Sequence, residues 1–173
     1  MAEENTAVFS EEQEFIKSLH HHLFSSPREV NALKRAFGRP ITDDISTYMS
    51  FLKVSGGHIY RPKEKIYFLI ACMYYLYEKP DSEGNYIPFE TLLGRLYGQT
   101  GSTDSDIAFL VNCDDLDNGM FLKKFVSYAN RCKALLKGNE RVDFCKLLKD
   151  LKSWNREDKT TRLKWAREIT KKG

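Results

Sequence analysis

Three groups of side chains in this 173-residue chain have the types to do chemistry. The first is His20-His21-His22. Consecutive residues on a helix point about 100° apart, so the three cannot ligate one ion from one face. His21 also lacks a second histidine four residues away, which a helical zinc pair requires. The run reads as a solvated cluster. The second group is Asp104, Asp106, Asp114, Asp115 and Asp117. A calcium loop needs alternating oxygen ligands closed by a glutamate, and that pattern is missing. Two of these acids fit helix caps and the others a loop. The third group is Cys72, Cys113, Cys132 and Cys145, with no Cys-x-x-Cys pair and three of the four inside apolar stripes. They read as reduced core thiols, not zinc ligands. No glycine loop ends in Gly-Lys-Ser/Thr, and no Gly-x-Ser-x-Gly turn is present. Nothing divides the work of nucleophile, base and stabiliser. The chain reads as non-catalytic, with no metal and no cofactor.

The basic residues show more order. Lys124 and Arg131 stand seven apart, beside the Phe121–Phe125–Tyr128 stripe. Lys149, Lys152, Arg156 and Lys159 step by three or four. Lys34 and Arg35 close a helix, with Arg39 just after it. Such rows can track a phosphate backbone, although they read no bases by themselves. Net charge is +3, but residues 120–173 hold 16 Lys+Arg against 6 Asp+Glu, and residues 1–119 hold 11 against 18. That asymmetry points to an anionic partner for the C-terminal third.

Helices must position these side chains. Ser10 with Gln13 fits a capping box opening a helix to about Phe24. Ser26-Pro27-Arg28-Glu29 starts a second, with Ser26 as cap and Glu29 reaching back, which stops at Gly38. Asp43 and Asp44 open a third, to about Lys53. After the loop at Ser55-Gly56-Gly57, a buried helix spans about Lys63 to Glu78. Pro80 to Pro88 reads as a surface loop, followed by a helix over about Phe89 to Tyr97. Thr103 and Asp106 start the next, ending near Cys113. The last three are expected over Met120–Lys137, Asp143–Trp154 and from Asn155 onward, where Asp158 completes a capping box. No strand alternation is visible.

The fold class is therefore all-α: eight or nine helices in two small bundles. The small polar stretch Gly98–Ser102 divides them, giving an N-terminal bundle over 1–98 and a basic C-terminal bundle over 99–173. Hydrophobic residues make up 42% of the chain, enough for a core without disulfides. The first fourteen residues are acidic and polar, unlike a secretory leader. The longest apolar run, Ile66 to Tyr77, is too short to span a bilayer. A soluble cytoplasmic protein is expected.

The C-terminal pattern Leu147-Leu148-Lys149-Asp150-Leu151-Lys152-Ser153-Trp154, followed by Trp165-Ala166-Arg167, resembles the CasB family, the small subunit of type I-E CRISPR Cascade surveillance complexes. Ala32-Leu33-Lys34-Arg35-Ala36-Phe37-Gly38 resembles the family's A-x-L-R-R-x-x-G helix end. The helix Ile66–Tyr77, the segment Phe89-Glu90-Thr91-Leu92-Leu93-Gly94-Arg95-Leu96, and Phe121-Leu122-Lys123-Lys124-Phe125 fall in the family's order. Together these pieces span about residues 11 to 170. One departure stands out: family members often carry paired arginines where this chain has Asp104-Ser105-Asp106-Ile107.

The resemblance implies two helical bundles and no catalysis. It implies a place in Cascade beside the backbone subunits, the large subunit and a second copy of the chain. Guide RNA and both strands of the target DNA are the implied nucleic-acid partners, held as an R-loop in antiviral defence, with no membrane partner. Lys34, Arg35, Lys123, Lys124 and Arg156 lie where the matched pieces carry basic residues. Arg39, Lys63 and Arg131 join them on charge and position. Trp154 and Trp165 belong to the core. The rival readings are a helical adaptor that binds only protein, and a metal-dependent phosphodiesterase.

Overall fold

The computed structural model describes residues 10–56, 63–78, 84–100, 104–113, 115–116 and 118–171. The acidic N-terminal segment to residue 9, the expected cap Thr103, and Asp114 and Asp117 lie outside the described residues, as do Gly57 and residues 80–83 of the Pro80–Pro88 loop. So do the side chains of Asp104 and Asp106.

Helix α1 (Glu11–Ser25) opens on the expected capping box: Ser10 Oγ accepts from the Gln13 N–H, and Gln13 Oε1 accepts from the Ser10 N–H. Helix α2 (Pro27–Arg35) begins at its proline, but Ser26 makes no side-chain cap. Ser26 is buried, and Glu29 accepts from Lys53 Nζ at 2.9 Å instead of reaching back. Pro27, with no N–H to satisfy, suffices as the start. Asp44 caps α3 (Ile45–Val54) through the Ser46 N–H.

Helix α4 (Glu64–Tyr77) buries nine of its fourteen residues, which fits the apolar run on most of its sides. A helix so enclosed must find partners for its polar tips. Tyr75 Oη donates to the Leu19 carbonyl at 2.8 Å, and Tyr77 Oη donates to the Ala129 carbonyl. These bonds tie α4 to α1 and to α7 (Gly119–Lys133).

In the second half, α5 (Phe89–Thr100) runs on through Gly98, and α6 (Asp104–Asn112) follows. Asn118 caps α7, which stops four residues before the expected end at Lys137. Asp143 caps α8 (Phe144–Lys152) by accepting from the Lys146 N–H at 3.0 Å. Helix α9 (Thr160–Thr170) starts five residues later than the Asn155 expectation. Lys159 adopts φ 54 there, and Asp158 Oδ1 accepts from the Thr160 N–H at 3.1 Å. A left-handed residue interrupts any helix begun earlier.

The sequence shows no strands, yet β1 (Asn85–Ile87) pairs in parallel with β2 (Glu140–Val142). Three residues are too few for alternation to show. Helix α2 packs on α3 and α4, α5 packs on α9 and α7, and α1 and α4 both pack on α8. The buried side chains form one continuous cluster from Phe15 to Ile169. Trp154 and Trp165 sit inside it, edge to face with centroids 4.9 Å apart. Each fully buried Leu or Phe in this cluster contributes about 1.5–3 kcal/mol of transfer free energy.

Candidate nucleic-acid interface

Lys34 and Arg35 are exposed on the last turn of α2, where their charge complements the carbonyl end of the helix. Adjacent helical residues diverge by about 100°, so they serve different surfaces. Arg35 turns into a cleft between α2 and α3 and shares it with Arg28 and Arg39. Arg39 Nη1 lies 3.9 Å from Asp43 Oδ2, with side chains 67% and 50% exposed, a pair of little strength.

The turn after α2 sets this group against α7. Gly38 has φ +92, and a Cβ built on it would lie 3.2 Å from Val126 Cγ1. One turn back along α7 from Val126 stands Lys123, exposed. Helix α7 carries Lys123, Lys124, Arg131 and Lys133 and no acid. Among the described residues, no hydrogen bond or ion pair holds Lys34, Arg35 or Lys123. Lys124 is half-buried, its Nζ 5.6 Å from the Phe109 ring centroid. Arg131 is exposed and lies 6.0 Å from the Tyr128 ring centroid. Both distances are within cation–π range.

Two of the anticipated residues stand apart. Lys63, at the start of α4, donates from Nζ to the Lys152 carbonyl at 2.6 Å. Arg156 is exposed in the turn after α8, 3.4 Å from Asp158. The row Lys149–Lys152–Arg156–Lys159 is not one face, because α8 ends at Lys152. Lys152 turns back to Glu12 (3.0 Å), Glu11 (3.2 Å) and the Tyr67 hydroxyl (2.9 Å). Burial acts to lower its pKa, but the bonds to Tyr67 and Glu12 outweigh that and hold it above the usual lysine value.

Other charges serve the core. Glu78 and Arg141, exposed by 7% and 10%, pair at 2.9 Å between α4 and β2. Burial raises the Glu78 pKa against the pull of Arg141. Lys146 joins Glu90 to Asp150, and Asp150 Oδ2 accepts from Trp165 Nε1 at 2.8 Å. Arg162, buried, donates to the Asn112 carbonyl, and Trp154 Nε1 donates to the Cys113 carbonyl. Sequence reasoning misses these partners. The tryptophan N–H groups are the available signal, since each must donate to something once buried.

The histidines fall at the edge of α1: His20 Nδ1 lies 3.1 Å from Tyr74 Oη, and His22 Nδ1 lies 2.9 Å from the Ser18 carbonyl. Burial pushes Cys132 up to about 12 and Cys145 up to about 11, and raises Cys72 further. Thiols so protonated are poor nucleophiles. Among the described residues, no group of His, Cys, Asp and Glu could hold a metal ion.

Helices around one core, with exposed cations on α2 and α7 and no assembled catalytic set among the described residues, define a small all-α protein. Residues 29–168 match the profile of the family described as CRISPR-associated protein Cse2, and the chain belongs to that family. Among solved structures, CasB from M. ruber is similar with a TM-score of 0.66 and 22% identity, over 94% of this chain and 93% of that one. A Cse2-family CRISPR-associated protein from Thermus thermophilus gives 0.69 at 20% identity, over 93% and 98%. A further structure, of CasB from Thermus thermophilus, gives 0.68 at 20%, over 93% and 98%. These likenesses show the fold. No curated protein is significantly similar to the chain. Among the described residues, no helix is long and apolar enough to cross a membrane.

Proposed function

We propose that this chain is the non-catalytic small subunit of a type I-E Cascade complex and holds nucleic-acid backbone to stabilise the R-loop. The observation that carries this reading is the acid-free helix α7, which bears exposed Lys123 one turn from Val126, the residue that faces Gly38 in the turn following the α2 cations. Lys34, Arg35 and Lys123 are the principal contacts, with Arg39, Lys124 and Arg131 as flanking positive charge. Lys63 and Arg156, each with a partner, contribute less. The partners are the guide RNA, the target and displaced DNA strands, the Cascade backbone and large subunits, and a second copy of the chain.

Exchanging a DNA duplex for an RNA–DNA hybrid is nearly balanced. A few phosphate contacts can therefore tip it, with strong salt dependence and no sequence preference. The test is binding of mixed-sequence single- and double-stranded DNA across a salt series, alone and in reconstituted Cascade, with Arg35→Glu and Lys123→Glu. Lys123 is a cleaner probe than half-buried Lys124. Each variant is expected to weaken binding and R-loop formation while the far-UV spectrum stays unchanged. Unaltered binding and R-loop yield in both variants refutes the assignment and favours an adaptor that meets only protein.

A further inference from the structure

We infer that the cleft between α2 and α3 seats one phosphodiester strand, and that Asp43 is a built-in counter-ion limiting its hold. The inference rests on the proposed function and adds Arg28 and Asp43, to which the basic rows in the sequence gave no role. The cleft has a volume of about 370 Å³, far more than one phosphate group fills. Arg28 and Arg35 are two helical turns apart, about 10.5 Å along the axis, and Arg39 extends the row past the helix end. A row of that length suits a chain of phosphates. Ala32 and Ala36 form part of its lining between the arginines, and such small side chains leave the groove open. Among the described residues, neither Arg28 nor Arg35 has an ion-pair partner.

The opposite wall decides how strongly an anion is held. Asp44 is already occupied: its oxygens accept from the Ser46 N–H at 3.0 Å and the Thr47 hydroxyl at 2.9 Å, at the positive end of α3. Asp43 is not engaged in this way. Its side chain is half exposed and faces Arg39 at 3.9 Å, too far for a strong pair. A strand entering the cleft must compete with that carboxylate for Arg39. Guanidinium forks bind phosphate and carboxylate alike. The strand is favoured because three arginines and the hydroxyls of Ser46, Thr47 and Ser50 line the cleft, against a smaller apolar patch of Pro40, Ile41 and Phe68.

The experiment is fluorescence anisotropy of the full chain with labelled mixed-sequence single-stranded DNA across a salt series, for Arg28→Gln, Asp43→Asn and Lys123→Gln. Arg28→Gln is expected to weaken low-salt binding about fivefold and to shallow the log–log salt slope by about 0.7. Asp43→Asn is expected to tighten binding about threefold. All three positions are exposed, and circular dichroism checks the fold. If Lys123→Gln weakens binding but Arg28→Gln and Asp43→Asn match wild type, the cleft proposal fails and the broader function stands. If the wild type fails to bind at low salt, the cleft proposal fails, and the broader function is decided by R-loop yield in reconstituted Cascade. Polyglutamate that displaces DNA from wild type more strongly than inorganic phosphate at equal ionic strength, and loses this advantage on Arg28→Gln, identifies an acidic-protein seat and overturns the proposal.

Discussion

Gly38→Ala tests the joint between the α2 cations and α7. Gly38 has φ +92, beyond the left-handed well that a non-glycine residue tolerates, so the backbone cost is about 2 kcal/mol. The new methyl would also stand 3.2 Å from Val126 Cγ1, and moving that side chain adds about 0.5 kcal/mol in lost contacts. Gly138 supplies the control: its φ is +54, with nothing within 4 Å of a Cβ. Gly138→Ala should cost only about 1 kcal/mol. Urea unfolding at neutral pH should place Gly38→Ala about 2–3 kcal/mol below wild type, with Tm lower by about 4–12 °C for a chain this long. In a Val126→Ala background the Gly38→Ala cost should fall only by the small steric part. A Gly38→Ala cost no greater than that of Gly138→Ala would refute the reasoning.

Lys152→Gln strips partners from Glu11, Glu12 and Tyr67, so it should lower stability by about 1–2 kcal/mol. It should leave the salt slope of DNA binding unchanged, which anisotropy would check. Glu140 should mark an acid transition: its hydrogen bonds from Arg95, joined by the Lys137 N–H, hold its carboxyl at about 2 in the folded state. A depressed folded pKa gives stability that is present above the unfolded value, near 4.5, and is lost as pH falls toward the folded one. Glu140→Gln should flatten that loss by about 1 kcal/mol after solvent screening, measured by thermal melts across the range.

Local chemistry is legible in the sequence where it decides the backbone. Ser10 with Gln13, Asp44, Gly38 and Pro27 mark helix ends because caps and turns act over three or four residues. The tryptophans are legible as core for a similar reason: their spacing already lies on apolar stripes. The expectation runs too long at α7 and too early at α9, where the outcome turns on Lys159 adopting a left-handed conformation that a lysine does not announce. The β1–β2 pair is invisible because its two strands are 55 residues apart and three residues long. Among the site residues, the lysines and arginines can be found in the sequence but not sorted. Lys152 steps in register with Lys149 and Arg156, yet its fate depends on Glu11 and Glu12, some 140 residues earlier. Arg28 goes unnoticed because it has no basic neighbour in sequence, although it shares a cleft with Arg35 and Arg39.

The seating of α1 on α8 has a consequence for how the chain is made. Glu12 and Lys152 are 140 residues apart, so the first helix reaches the ribosome surface well before its partner is synthesised. At about 5–20 residues per second the wait is on the order of 7–30 seconds. Through that interval Phe15 and Leu19 can bury themselves only against α2, α3 and α4. Contacts of such long range also slow folding. The final docking of α8 onto α1 and α4 is therefore a late event that closes the core, and a chain truncated before α8 should be a substrate for chaperones and proteases.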